Sequence, residues 1–252
     1  MSLRPHYGLF APLFEYPDES YREHLRVAQL GLEASHPAAA EQLNAFADLL
    51  PIVDDVHPEI ALNALQEIFT RSFEVQSITT LDVGYVIFGD DYKRAELLVN
   101  LNREQRTIDN DCGSELSDHL PNVLRLMVGW ADLDLAEEFV QQILHPALQR
   151  MIEEFHPERM EVRNELYKKH HKTLIVSAAT RTTMFRHLLK ALYETLAQDY
   201  EFTWEAPPER SSEFLRSIRR EMEIATKGAG QRPSAVRPDQ MPSQPNCPSR
   251  RN

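Results

Sequence analysis

Glycine is scarce in this sequence: 8 of 252 residues against 16 prolines, about 3% where ~7% is usual. Tight hairpin turns need residues that accept positive φ, so a hairpin-rich β architecture is excluded. Basic charge is also in short supply, with 27 Lys and Arg against 39 Asp and Glu and a formal net charge of −12. Phosphate neutralisation needs clustered Lys and Arg, so no nucleic-acid partner is expected. The two cysteines, Cys112 and Cys247, stand far apart without a CxxC, which argues against a zinc knuckle and a disulfide framework. Long apolar runs are missing as well. Leu174–Ala179 is among the longest, well short of the ~18 residues of a membrane span. The opening MSLRPHYGLFAPLFEYPDE has no basic flank leading into an uninterrupted apolar core, so no secretory signal is read. The expectation is a soluble, cytoplasmic protein with no membrane span.

What is present divides unequally along the chain. From Lys227 onward the sequence is rich in Pro, Gly, Ser and Gln and almost devoid of core-forming residues. Such a segment buries too little apolar area to offset its ordering entropy, so residues 227–252 are expected to form a disordered basic tail. It carries Lys227, Arg232, Arg237, Arg250 and Arg251 against the single acid Asp239, a net +4. Removing that from −12 leaves the body, residues 1–226, at −16.

Within the body a 3.6-residue period dominates. Ala61, Ala64, Leu65, Ile68, Phe69 and Phe73 share one helical face behind Pro58, and Ala39, Leu43, Phe46, Ala47 and Leu50 repeat the pattern behind Pro37. The longest stripe runs through Ala136, Phe139, Val140, Ile143, Leu144, Ala147, Leu148, Met151, Ile152 and Phe155, with Pro146 predicting a kink inside it. Met184, Leu188, Leu189, Leu192, Leu196 and Tyr200 make a further stripe, and Phe214, Ile218 and Met222 a short last one after Pro207-Pro208. Only Leu81–Phe88 passes for a buried strand; with no partner for it, a turn or a short inward-packed helix is expected. No fixed-period repeat is visible. The fold class read from these patterns is all-α, a single domain of about eight to ten helices followed by the tail.

Ten histidines invite a metal or hydrolase reading. HExxH does not occur, and the tandem His170-His171 splays its rings around a helix. Phosphate-cradling loops and serine elbows have no signature either. The acidic run Asp109–Glu115 resembles a calcium loop only superficially, since Ser114 and Leu120 stand where an EF-hand needs Gly and Glu. It reads as a turn-rich connection. Beyond it, Glu115–Pro121 reads as a helix start in which Ser117 or Asp118 caps the first-turn amides and Pro121 sits in the first turn. The functional alternative is that Asp118 and His119 flank a groove for something cationic or polar.

At this point the chain resembles the NarJ/TorD family, the dedicated assembly chaperones of molybdoenzymes. Glu115-Leu116-Ser117-Asp118-His119-Leu120-Pro121 is similar to the family's ELPDHLP signature. Leu13-Phe14-Glu15-Tyr16-Pro17 is similar to its opening motif, and Leu65–Phe69 with Gly84–Arg94 resembles its nitrate-reductase branch. The likeness covers residues 7–155 and departs at Ser117, where the family carries Pro and where Ser would supply an extra cap. The resemblance implies a non-catalytic helical chaperone. Such a protein binds the N-terminal segment of an apo catalytic subunit, of the nitrate reductase or dimethyl-sulfoxide reductase type, and supports molybdenum cofactor insertion. Carried over by motif, Asp118 and His119 line the client-binding region, shaped by Glu115 and Pro121, with Tyr85, Phe88 and Tyr92 as weaker contributors. No metal or cofactor of its own is implied, and the chain is expected as monomer or dimer. The rival readings are a metal-dependent helical hydrolase and a helical adaptor or regulator.

Overall fold

The computed structural model describes residues 4–53, 57–160 and 183–202. The expected tail, the helix after Pro207-Pro208 and the His170-His171 pair lie outside the described residues. Described residues all belong to the compact unit Met1–Pro207.

Helices account for the architecture, as the periodicity predicts. In chain order they are α1 (Tyr7–Phe10), a 3-10 turn (Ala11–Phe14), α2 (Tyr21–Leu32), α3 (Pro37–Asp48), α4 (Pro58–Phe73) and α5 (Val83–Phe88). They continue with α6 (Tyr92–Thr107), α7 (Leu120–Gly129), α8 (Leu133–Phe139), a π segment (Val140–Leu144), α9 (His145–Glu154) and α10 (Met184–Tyr200). Pro37, Pro58 and Pro121 each sit in the first turn of their helix, where the missing N–H costs no intrahelical bond. Asp91 and Asp132 cap α6 and α8, accepting from the amides of Lys93 and Leu135 at 3.0 Å.

α10 packs along α3 and α9, and α7 packs on α1. Their apolar faces are the stripes read from sequence: Leu43 and Phe46 of α3, Leu188, Leu192 and Leu196 of α10, and Leu148 and Ile152 of α9 are all fully buried. Phe185 ties three elements together, its ring 5.5 Å from Phe46, 5.6 Å from Phe69 and 5.0 Å from Phe73 in tilted or edge-on geometry. None of the described helices is long and apolar enough to cross a membrane.

At Pro146, where a kink is expected, the helix widens into the π segment just before the proline. His145 donates to the Val140 carbonyl, five residues back. A wider turn removes the need for a donor at Pro146 and makes room for its ring. Leu81–Phe88 is divided in two. Leu81–Val83 does find a strand partner, donating from Val83 to the Asp118 carbonyl at 3.0 Å and accepting at Leu81 from Leu120 at 2.9 Å. This isolated antiparallel bridge, Asp82 opposite His119, passes straight into α5. Gly89 then ends α5 at φ 63°, where an L side chain would be strained.

Candidate functional site

The bridge fixes one wall of a cavity of about 460 Å³. Its floor is apolar, with Phe14, Phe69, Phe73 and Leu81 contributed by the 3-10 turn, by α4 and by the bridge strand. Tyr16 stands at its side, 53% exposed and edge-on to Phe69 at 5.8 Å. Five carboxylates line it, Glu15, Glu74, Asp82, Asp111 and Glu115, against a single guanidinium, Arg125, which is ion-paired with Glu15. Burial alone pushes the Arg125 pKa down from its ordinary value.

The acidic wall rests on a cluster of charges. Arg94 of α6 donates through Nε to Asp118 Oδ2 at 2.9 Å and through Nη2 to Asp118 Oδ1 at 3.3 Å, and to Asp82 Oδ2 at 2.9 Å. On its far side Asp82 pairs through Oδ1 with His119 Nδ1 at 3.0 Å, and Glu115 lies 3.9 Å from the same nitrogen. Burial pushes the Asp82 carboxyl up, but the hydrogen bond and charge of His119, followed by Arg94, outweigh it and hold the group below its ordinary value. Burial works against the Arg94 charge, and Asp118 and Asp82 more than restore it. Asp82 and Arg94 thus each favour the charged form of the other.

No family model, curated protein or solved structure matches this chain. Its function has to be read from the arrangement of its own side chains.

Glu115, His119 and Pro121 line the cavity together. Asp118 does not. Its side chain is fully buried and turned toward Arg94, so it offers no surface to a ligand. Nor does it cap α7: His119 occupies the N-cap position, and no side chain bonds the first-turn amides there. The bridge explains both placements, because pairing 118–120 with 81–83 leaves the backbone extended and aims the Asp118 side chain at α6. Ser117 also fails to cap. Buried at 2% exposure, it donates to the Leu98 carbonyl of α6 at 3.3 Å. Tyr85, Phe88 and Tyr92 are not among the cavity's lining. Tyr85 lies beneath Arg94, 5.2 Å from the guanidinium carbon to the ring centroid, and Tyr92 is 69% exposed on α6.

The loop before α7 is held by amides. Buried Gln105 donates to the Asn122 carbonyl at 3.1 Å and accepts from Asn110 at 2.6 Å, and Asn122 donates to the Leu116 carbonyl at 3.0 Å. The acidic run 109–115 is thus the turn-rich connection expected. Sequence reasoning missed Asp82, Arg94, Arg125 and the aromatic floor as site residues, since their partners are distant in the chain. It also missed a grouping elsewhere: among the described residues His6, His36 and Asp199 have the composition and spacing to hold a metal ion, and none of them lines the cavity.

Proposed function

We propose that the chain is a non-catalytic cytoplasmic chaperone that takes the N-terminal segment of an apo molybdoenzyme catalytic subunit into this cavity, supporting cofactor insertion and assembly. The observation that carries the reading is convergence. Phe14, Glu15 and Tyr16 of the opening motif, Phe69 of the second block, and Glu115, His119 and Pro121 of the signature stand around one cavity. A shared ligand site would bring motifs so far apart in sequence around one cavity in this way.

The cavity's chemistry suits a leader segment with adjacent arginines and an apolar run. Its volume falls in the ~300–1,000 Å³ range of ligand pockets, and its aromatic floor suits an apolar anchor. The carboxylates around that floor complement a cation. A body at −16 also draws a cationic segment in from about a Debye length, ~8 Å at physiological salt.

A fluorescent synthetic peptide with an arginine pair followed by a leucine-rich run tests this by anisotropy titration. Saturable binding is expected, weakened roughly 2- to 5-fold by Glu115→Gln, as one partly exposed charge pair warrants. Replacing both peptide arginines by glutamine is expected to weaken it further. Equal affinities for all four combinations of chain and peptide would sink the proposal, as would a deletion strain whose molybdoenzyme matures fully.

A further inference from the structure

We propose that His6, His36 and Asp199 form a binding site for one divalent transition-metal ion, separate from the peptide cavity. His6 directly precedes α1, His36 is the N-cap residue of α3, and Asp199 lies in the last turn of α10. The two imidazoles approach different oxygens of one carboxylate: His6 Nε2 is 2.7 Å from Asp199 Oδ2 and His36 Nε2 is 3.2 Å from Oδ1. All three ligand atoms lie within 4.8 Å of one another. Side-chain exposures of 17%, 6% and 16% for His6, His36 and Asp199 leave the group shielded but reachable.

Zinc holds nitrogen and oxygen ligands at ~2.0–2.2 Å, which places them roughly 3.3 Å apart around a tetrahedral ion. The 2.7 and 3.2 Å separations fall short of that value by about 0.6 Å or less, so small side-chain rotations admit an ion in place of the protons now shared between nitrogen and carboxylate. Two imidazoles and one carboxylate favour zinc, ferrous iron, cobalt or nickel over magnesium and calcium, which prefer all-oxygen shells. Three protein ligands also leave a position for water or a further donor.

Outer contacts support the same assignment. A metal-bound imidazole is oriented through its other nitrogen, and His36 Nδ1 lies 2.9 Å from the Ser35 hydroxyl, which can accept as well as donate. The Tyr7 hydroxyl donates to Asp199 Oδ2 at 2.5 Å. That hydrogen bond orients the carboxylate from outside the ligand set. No local spacing announces this site, because its ligands come from three elements distant in the chain. A bound ion would join the start of the chain to α3 and to the end of α10, and would stabilise the folded state by mass action.

The test uses the tag-free full chain, stripped with chelator and titrated with cobalt(II) by visible absorption and with zinc(II) by calorimetry. One ion per chain and a ligand-field band are expected. His36→Ala and Asp199→Asn are expected to weaken binding by more than the about 100-fold ceiling of an outer-contact change. His57→Ala, which removes an exposed imidazole, is expected to leave binding unaltered. Far-UV circular dichroism checks that each variant folds; should the His36 or Asp199 variants unfold, His6→Gln, at a residue just outside α1, tests the same ligand set. No saturable binding by the folded parent would overturn the proposal, and so would parental affinity in a folded His6→Gln chain. The cluster would then be a hydrogen-bonded staple only.

Discussion

Replacing Asp118 by alanine separates a supporting role from a contact role for the signature's acid. The side chain has no exposure and accepts two hydrogen bonds from an Arg94 whose own side chain is 16% exposed. Breaking a buried ion pair by deleting one partner costs about 3–5 kcal/mol, most of it from the charge left behind. Here the surviving charge keeps Asp82 at 2.9 Å, and that carboxylate is 25% exposed. The expected loss for Asp118→Ala is therefore lower, about 2–3 kcal/mol, or roughly 30- to 150-fold in the folding equilibrium. Arg94→Met leaves a fully buried carboxylate without its guanidinium and is expected to cost the full ~3–5 kcal/mol. The double variant should recover at least about 1.5 kcal/mol relative to the sum of the two singles. Urea denaturation followed by far-UV circular dichroism measures all three through midpoint shifts at constant slope. A loss under about 0.5 kcal/mol for Asp118→Ala, accompanied by abolished peptide binding, would refute the reasoning and put Asp118 in contact with the ligand.

Gly84 makes room for the same carboxylate: a Cβ built there would lie 2.6 Å from Asp118 Oδ2 and 2.9 Å from Leu97 Cδ2. Gly84→Ala is expected to destabilise by about 1–3 kcal/mol in the same denaturation assay, and a neutral result would mean the pair is looser than described. Acid should act through Asp82, whose carboxyl is held below its ordinary 3.8 while facing Arg94, His119 and, beyond His119, Glu115. A depressed folded-state pKa gives stability that is complete above the unfolded value and lost as pH falls through the folded one. Denaturation midpoints followed downward past pH 3.8 should fall less steeply in Asp82→Asn than in the parent, and parallel curves would contradict the pairing.

Much of the helical framework follows from sequence periodicity alone. The stripes of α3, α4, α9 and α10 recur every three to four residues and need only a partner face to become core, and prolines at 37, 58 and 121 mark the starts. α6 leaves no such trace for a physical reason. Among its sixteen residues only Leu101 and Gln105 are buried, so it carries almost no apolar face to detect. In the candidate site, Glu115, His119 and Pro121 were named only through the resemblance of one short motif, and the three line one cavity. Asp118 shares that motif and faces the other way, and only the bridge between 81–83 and 118–120 decides its direction.

Composition and period thus determined the helical class, the acidic body and the main core faces, because each depends on residue type and spacing within a single segment. Tertiary structure alone decided which carboxylate meets Arg94, which aromatics floor the cavity, and that His6, His36 and Asp199 stand together. Those contacts join positions separated by many turns of chain, and a side chain's direction there is set by how whole elements pack.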